Sequence, residues 1–326
     1  MAGSSVLRAV KVGQRDFTLS GISRADSPMI YPAGMSRPVA VISVDVEPVD
    51  DHLVGYGIRG LPHDPLVHAR ALPRLLDVFA RTGIRATLFL VGRDAETHAA
   101  ALREAASAGH EIASHSWSHP MGFASLPPER QRAELEDSHR ALEHASGSPV
   151  VGFRAPHFDL DARAVPRLVA AGYRYDASGY PSPMLLLARA LLVLKSASRG
   201  DVPAIALPFT WRRDPHDWRA AGATIREFPL AVTPRLRMPV YHTLRYYTSE
   251  ATWHSRLDGF ARRGELLSYA LHGVDALGLT EDQVDDRLAR HPGMNRPLAE
   301  KLRLLEATLR RITSRFESRP FRELLD

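Results

Sequence analysis

The chain of 326 residues contains no cysteine. Disulfide frameworks, thiolate zinc sites, iron–sulfur clusters and cysteine nucleophiles are therefore excluded together, and any metal must be held by His, Asp or Glu. Long apolar runs are missing too. The best candidate, Met184 to Leu194, is interrupted by Arg189 and is too short to span a bilayer. The opening stretch MAGSSVLRAVKVGQRDFTLSG is charged and lacks an apolar core followed by a small-residue cleavage site. It does not read as a signal peptide, and a cytoplasmic location is the default expectation.

Charge of either sign is also scarce as a net quantity, with 42 Lys and Arg against 37 Asp and Glu. The excess is concentrated, however. Between Pro181 and Glu250 there are ten basic residues against five acids, which accounts for the whole net charge of +5. Such a segment is either a solvated arginine-rich face or a surface for anionic lipid or a phosphate-bearing substrate. No nucleic-acid reading motif organises these residues, so nucleic-acid binding is not expected. With 44% apolar and 24% charged residues, the chain has the composition of a folded protein with a substantial core.

Strand-like and helix-like patterns alternate from residue 39 onward. VAVISVDVEP, from Val39 to Pro48, is a β-branched run ending in acids, and Leu72, Leu75, Leu76 and Phe79 follow at helical spacing until Gly83. Further strands are expected at RATLFLV, EIASH, VVGFRAP, YRYDASG, TIREFPL and LLSYALHG, with helices between them. Repeated strand–helix units predict an α/β fold with a parallel sheet or barrel. The expected organisation is an N-terminal arm over 1–38 and a single catalytic domain over 39–326. That domain contains an insertion at about 181–262 and an outer helix at about 296–315 carrying Leu298, Leu302, Leu305, Leu309 and Ile312 on one face.

In such folds reactive groups collect where strands end. Asp45 and Glu47 end the first strand two residues apart, on one side if the strand persists that far. In GHEIASHSWSHP, His115 and His119 follow the third strand four residues apart, a spacing that lets both imidazoles reach one ion. Arg154 follows the fourth strand, Asp176 the fifth, and His272 ends the last. Two imidazoles and a carboxylate with room for water describe a catalytic divalent-metal site. Asp50, Asp51 and His52 form a second cluster, read as solvated or at most substrate-contacting.

These motifs resemble, in order, those of the polysaccharide deacetylase family (NodB-homology, carbohydrate esterase 4-like). SVDVEP, SHSWSH, FRAPHF, YRYDASGYP and YALHGVD match its five motifs, over roughly Val39 to Pro181 and Leu266 to Asp275. The resemblance implies a distorted (β/α)7 barrel of the NodB-homology type and metal-dependent removal of an N-acyl group, N-acetyl above all, from an amino sugar or glycan. It implies Asp45 as general base and Glu47, His115 and His119 as ligands of one divalent ion. Zinc is the first choice of ion, with cobalt, nickel or manganese as alternatives. His272 becomes the general acid, Asp176 its orienting partner and Arg154 the partner of Asp45. The backbone N–H of His157 helps hold the oxyanion next to Pro156, and Trp117 either lines the acyl pocket or packs.

Val46 departs from the commoner pattern of two adjacent acids in the first motif, which leaves open an exchange of roles between Asp45 and Glu47. The partner is a carbohydrate substrate, with a polyprenyl-phosphate-linked sugar at the inner membrane face as an alternative that would use Met184 to Leu194 as a peripheral contact. Otherwise that run is a buried helix covering the barrel or an oligomer contact. A ring-opening cyclic-amide hydrolase and a non-catalytic carbohydrate-binding relative are the remaining alternatives. The second of these predicts loss of Asp45 or His272, and both are present.

Overall fold

The β-branched run VAVISVDV forms strand β1 (Val39–Val46), buried from Ala40 onward. The computed structural model describes residues 37–185 and 212–325, and everything below concerns these. The arm up to residue 36 and most of the run Met184 to Leu194 lie outside them.

Eight further strands follow: β2 (Thr87–Leu90), β3 (Glu111–Ser114), β4 (Gly152–Phe153), β5 (Tyr175–Asp176), β6 (His216–Ala220), β7 (Ala223–Glu227), β8 (Leu267–His272) and β9 (Glu317–Ser318). Their order across the sheet is β6-β7-β5-β4-β3-β2-β1-β8, with β9 added to β1. The parallel path from β7 to β8 has seven strands, while β6 pairs antiparallel with β7. One hydrogen bond, from the Ala231 N–H to the Ser268 carbonyl at 3.0 Å, brings the two free edges of this path together. The result is the distorted (β/α)7 barrel anticipated from the motifs.

The period of two along β1 puts Val41, Ser43 and Asp45 on one face, alternating with Ala40, Ile42 and Val44. Val41 joins Phe89, Tyr175, Phe228 and Phe321 in an aromatic cluster. Phe321 stacks on Phe228 with ring centroids 5.0 Å apart, and its full burial is worth roughly 1.5–3 kcal/mol. Gly152 in β4 is required by this packing, because a Cβ there would lie 2.0 Å from the Tyr175 ring. Helices Leu72–Thr82, Ala99–Ser107, Pro128–Ser146 and Val165–Ala170 connect the first five strands. The first stops at Gly83, whose left-handed φ of 68° suits a residue without Cβ.

Three features differ from the sequence expectations. Val49–Val54, which carries the Asp50, Asp51 and His52 cluster read as solvated, is a short helix with Asp50 and Asp51 in its first turn, where acids favour the helix dipole. The polar segment HDWRA forms β6, a hairpin strand turning back at Ala221 and Gly222, both with positive φ. Strand β7 is the strand expected at TIREFPL, but it lies within the stretch expected as an insertion and pairs with β5 as part of the sheet.

Acid sensitivity is built into the packing below the site. His110 is 4% exposed, and its Nδ1 accepts the Ala86 N–H at 3.0 Å. Burial, with Arg85 nearby, lowers its pKa to about 4 from an ordinary 6.5. The unfolded chain therefore binds the extra proton first, and stability should fall as pH drops from about 6.5 to about 4, by roughly 3 kcal/mol from this residue. Urea unfolding across that range should show a shallower pH slope for His110→Gln, whose amide oxygen can still accept the Ala86 N–H.

Candidate active site

Four strand ends converge. His115 directly follows β3 and is held there by its N–H to the Leu90 carbonyl at 2.8 Å. Its Nδ1 lies 2.7 Å from the Arg154 carbonyl, so it carries the proton and leaves Nε2 with a free lone pair. The following turn is tightly specified. Gly92 and Arg93 donate backbone N–H groups to the Ser116 and Trp117 carbonyls, and Arg93 Nη1 reaches the Ser118 carbonyl. Glu134 accepts both the N–H and the hydroxyl of Ser118. This turn places the His119 ring 4.9 Å from that of His115.

Glu47 continues the Val41–Ser43–Asp45 column just beyond the end of β1. Ligand atoms of Glu47, His115 and His119 all lie within 4.8 Å of one another, and all three residues are buried. Glu47 Oε2 and His119 Nδ1 are buried without a hydrogen-bond partner. Burial pushes the Glu47 carboxyl up to about 7, against the lowering influence of His272 and His115. Burial likewise holds His119 well below its ordinary value and therefore neutral. Two imidazole nitrogens and a carboxylate oxygen without a partner are the donor set of a divalent-cation site, so these residues fit the implied metal.

Beside this triad, Asp45 Oδ1 accepts from Arg154 Nη1 at 2.5 Å, and Asp45 Oδ2 lies 3.9 Å from His272 Nε2. Burial alone would raise the Asp45 carboxyl, but Arg154, His115 and His272 outweigh it and hold it below the usual range. Arg154 is itself fixed by the Ala177 carbonyl and the Ser43 hydroxyl, both at 3.0 Å, and its guanidinium lies 4.1 Å from the centre of the Phe89 ring. Register explains the Asp45–His272 approach, since the two residues are Cα partners across β1 and β8.

Asp176 has other partners than the His272 it was expected to orient. Its oxygens accept the Ser178 hydroxyl at 2.7 Å and the Ser178 N–H at 3.1 Å, and it is hydrogen-bonded to Glu227. Register sets these partners, since Asp176 is the Cα partner of Phe153, next to Arg154, on one side and of Glu227 on the other. The turn after His272 is set by Asp275, which accepts the His272 N–H at 2.9 Å, and by buried Lys301, which donates to the Val274 and Leu277 carbonyls.

Pro156 opens a 3-10 turn in which His157 and Phe158 adopt left-handed φ of 55° and 57°. Together with Ser116 and His119, they make four of the seven non-glycine residues with positive φ among the described residues, each costing about 1–3 kcal/mol. The His157 ring packs 4.9 Å from His119. Trp117 is half-buried.

His52 was underestimated from sequence. Its Nδ1 contacts Glu47 Oε1 at 2.7 Å, and its Nε2 lies 3.0 Å from His291 Nδ1, which Tyr56 also approaches at 2.8 Å. Asp51 is equally unsolvated and pairs with Arg93 at 2.5 Å. The position of His52 five residues after Glu47 was the available signal; nothing in the sequence linked it to His291.

Residues 61–175 match the polysaccharide deacetylase family. A peptidoglycan deacetylase of Helicobacter pylori is 27% identical over 149 residues, covering 44% of this chain and 50% of that protein. A peptidoglycan deacetylase-like protein of Gibberella zeae is 29% identical over 158 residues, covering 46% of each. The chain thus spans about half the length of these curated relatives. A probable polysaccharide deacetylase from Pseudomonas aeruginosa superposes with a TM-score of 0.55 at 16% identity, over 88% of this chain and 89% of that one, a likeness of fold. With the motif residues gathered at one end of this barrel, residues 61–175 and the strand ends around them are similar to the polysaccharide deacetylase family.

Proposed function

We propose that this protein is a divalent-metal-dependent hydrolase that removes an N-acyl group, N-acetyl first, from an amino sugar or glycan. The observation that carries the reading is the convergence of Glu47, His115 and His119 within 4.8 Å, directly beside the buried Asp45–Arg154 pair and His272. When bound, a divalent ion acidifies water and polarises the acyl oxygen. Zinc fits two imidazoles and a carboxylate best, with cobalt, nickel and manganese as alternatives.

The chain's own residues do the rest. His115 is oriented by the Arg154 carbonyl, so its Nε2 is the coordinating atom. Asp45, kept ionised by Arg154, accepts the proton of the attacking water. His272 Nε2 delivers a proton to the departing amine, and the His157 N–H helps hold the oxyanion. The names of the relatives, which are peptidoglycan and chitin deacetylases, support a carbohydrate polymer or oligomer as the substrate class.

Metal analysis tests the site. Purified wild type should carry one ion per chain, and His115→Ala should carry far less and release no acetate from N-acetylglucosamine oligomers. Equal metal content in the two proteins would remove the site from consideration.

A further inference from the structure

A cavity of about 450 Å³, lined by none of the candidate-site residues, lies at Tyr246, whose hydroxyl contacts Asp275 of the turn after His272. It is bounded by the segment Arg245–Thr248 and by one face of helix Leu298–Arg315, and its walls carry three arginines and one acid. Arg245 is only 9% exposed. Its Nη1 is held by the Thr248 carbonyl at 2.7 Å, while its Nε is buried with no acceptor. Arg296 is ion-paired with Glu300. Arg303, on the exposed side of the helix, has no hydrogen-bond or ion-pair partner among the described residues.

The charge sum is decisive. Glu300 neutralises Arg296, which leaves Arg245 and Arg303 as two uncompensated guanidinium groups at one concavity. A buried guanidinium N–H without an acceptor, as in Arg245, is costly, and this cation together with the exposed Arg303 matches a phosphate group, which carries about −1.5 to −2 charge at neutral pH. The remaining wall, Leu304 and the Tyr246 ring, is apolar and suits an organic body attached to that phosphate. The Tyr246 hydroxyl points the other way, donating to Asp275 at 3.4 Å.

We propose that this cavity is a binding site for a phosphate group carried on an organic molecule, held by Arg245 and Arg303. The site does not depend on the deacylation reading, because binding is measured without turnover. Two sources share this chemistry, a soluble phosphorylated metabolite and a phospholipid headgroup.

Calorimetric titration of the full chain with phenyl phosphate, and sedimentation with phosphatidylglycerol vesicles against phosphatidylcholine vesicles, separate the two sources. Binding of phenyl phosphate assigns a soluble ligand, and binding to phosphatidylglycerol vesicles alone assigns a headgroup. In either case Arg303→Ala, an exposed substitution that leaves the core untouched, should weaken binding at least about tenfold. Glu300→Gln should strengthen it by freeing Arg296, and His119→Ala should leave it unchanged. Binding to neither probe, binding indifferent to Arg303→Ala, or binding abolished by His119→Ala, which would place the phosphate at the metal centre, overturns the proposal.

Discussion

Asp45→Asn protein should keep its divalent ion and lose turnover by about 10²–10⁴-fold, the usual cost of removing a positioned base. The structure gives the reason for expecting these two effects to separate. One Asp45 oxygen is committed to Arg154 and the other lies 3.9 Å from His272, while the convergent ligand atoms are those of Glu47, His115 and His119. Asparagine can still accept from Arg154 through its carbonyl oxygen, so the local geometry survives while the proton acceptor is lost. Acetate release and metal content measured on the same preparation decide the matter. If Asp45→Asn empties the site and Glu47→Gln leaves it filled, the two carboxylates have exchanged roles.

The largest effect on stability is expected at Arg154. This side chain is 1% exposed and joins Asp45, Ser43, the Ala177 carbonyl and the Phe89 ring in one contact set. Arg154→Met preserves much of the volume but leaves the Asp45 carboxylate buried without a countercharge. Breaking a buried pair from one side costs about 3–5 kcal/mol. The cost should appear as a lower urea midpoint with an unchanged slope. The double variant Asp45→Asn/Arg154→Met should be less destabilised than the sum of the single variants, because the stranded charge is then absent. Strict additivity would mean that the two groups are not coupled.

The site was legible in sequence where strand periodicity controlled it. Asp45 and Glu47 at a spacing of two, His115 and His119 in one turn, and His272 at the end of the last strand are each placed by the element that precedes them. What escaped was tertiary. His291 reaches His52 from a distant segment with no spacing rule to announce it. Asp176 has the sequence position of an orienting acid, but the partner of a strand-end residue is set by strand order, and that order gives it Ser178 and Glu227. Strand β6 was invisible because its alternation is between half-buried and exposed positions, without an apolar face.

The pairing of β1 with both β2 and β8 also governs the order in which the protein assembles. Strand β2 is available early, but the β8 partner of β1 comes late, and the Ser43–Tyr269 contact closes a loop of 226 positions. Closing such a loop spends chain entropy before any of the site exists, so folding should be slow compared with that of proteins built on local contacts. Until then β1 presents an unpaired apolar edge of the kind that recruits other chains. Asp45 and His272, a register pair across that seam, come together only when it closes; catalytic competence is therefore among the last properties the folding chain acquires.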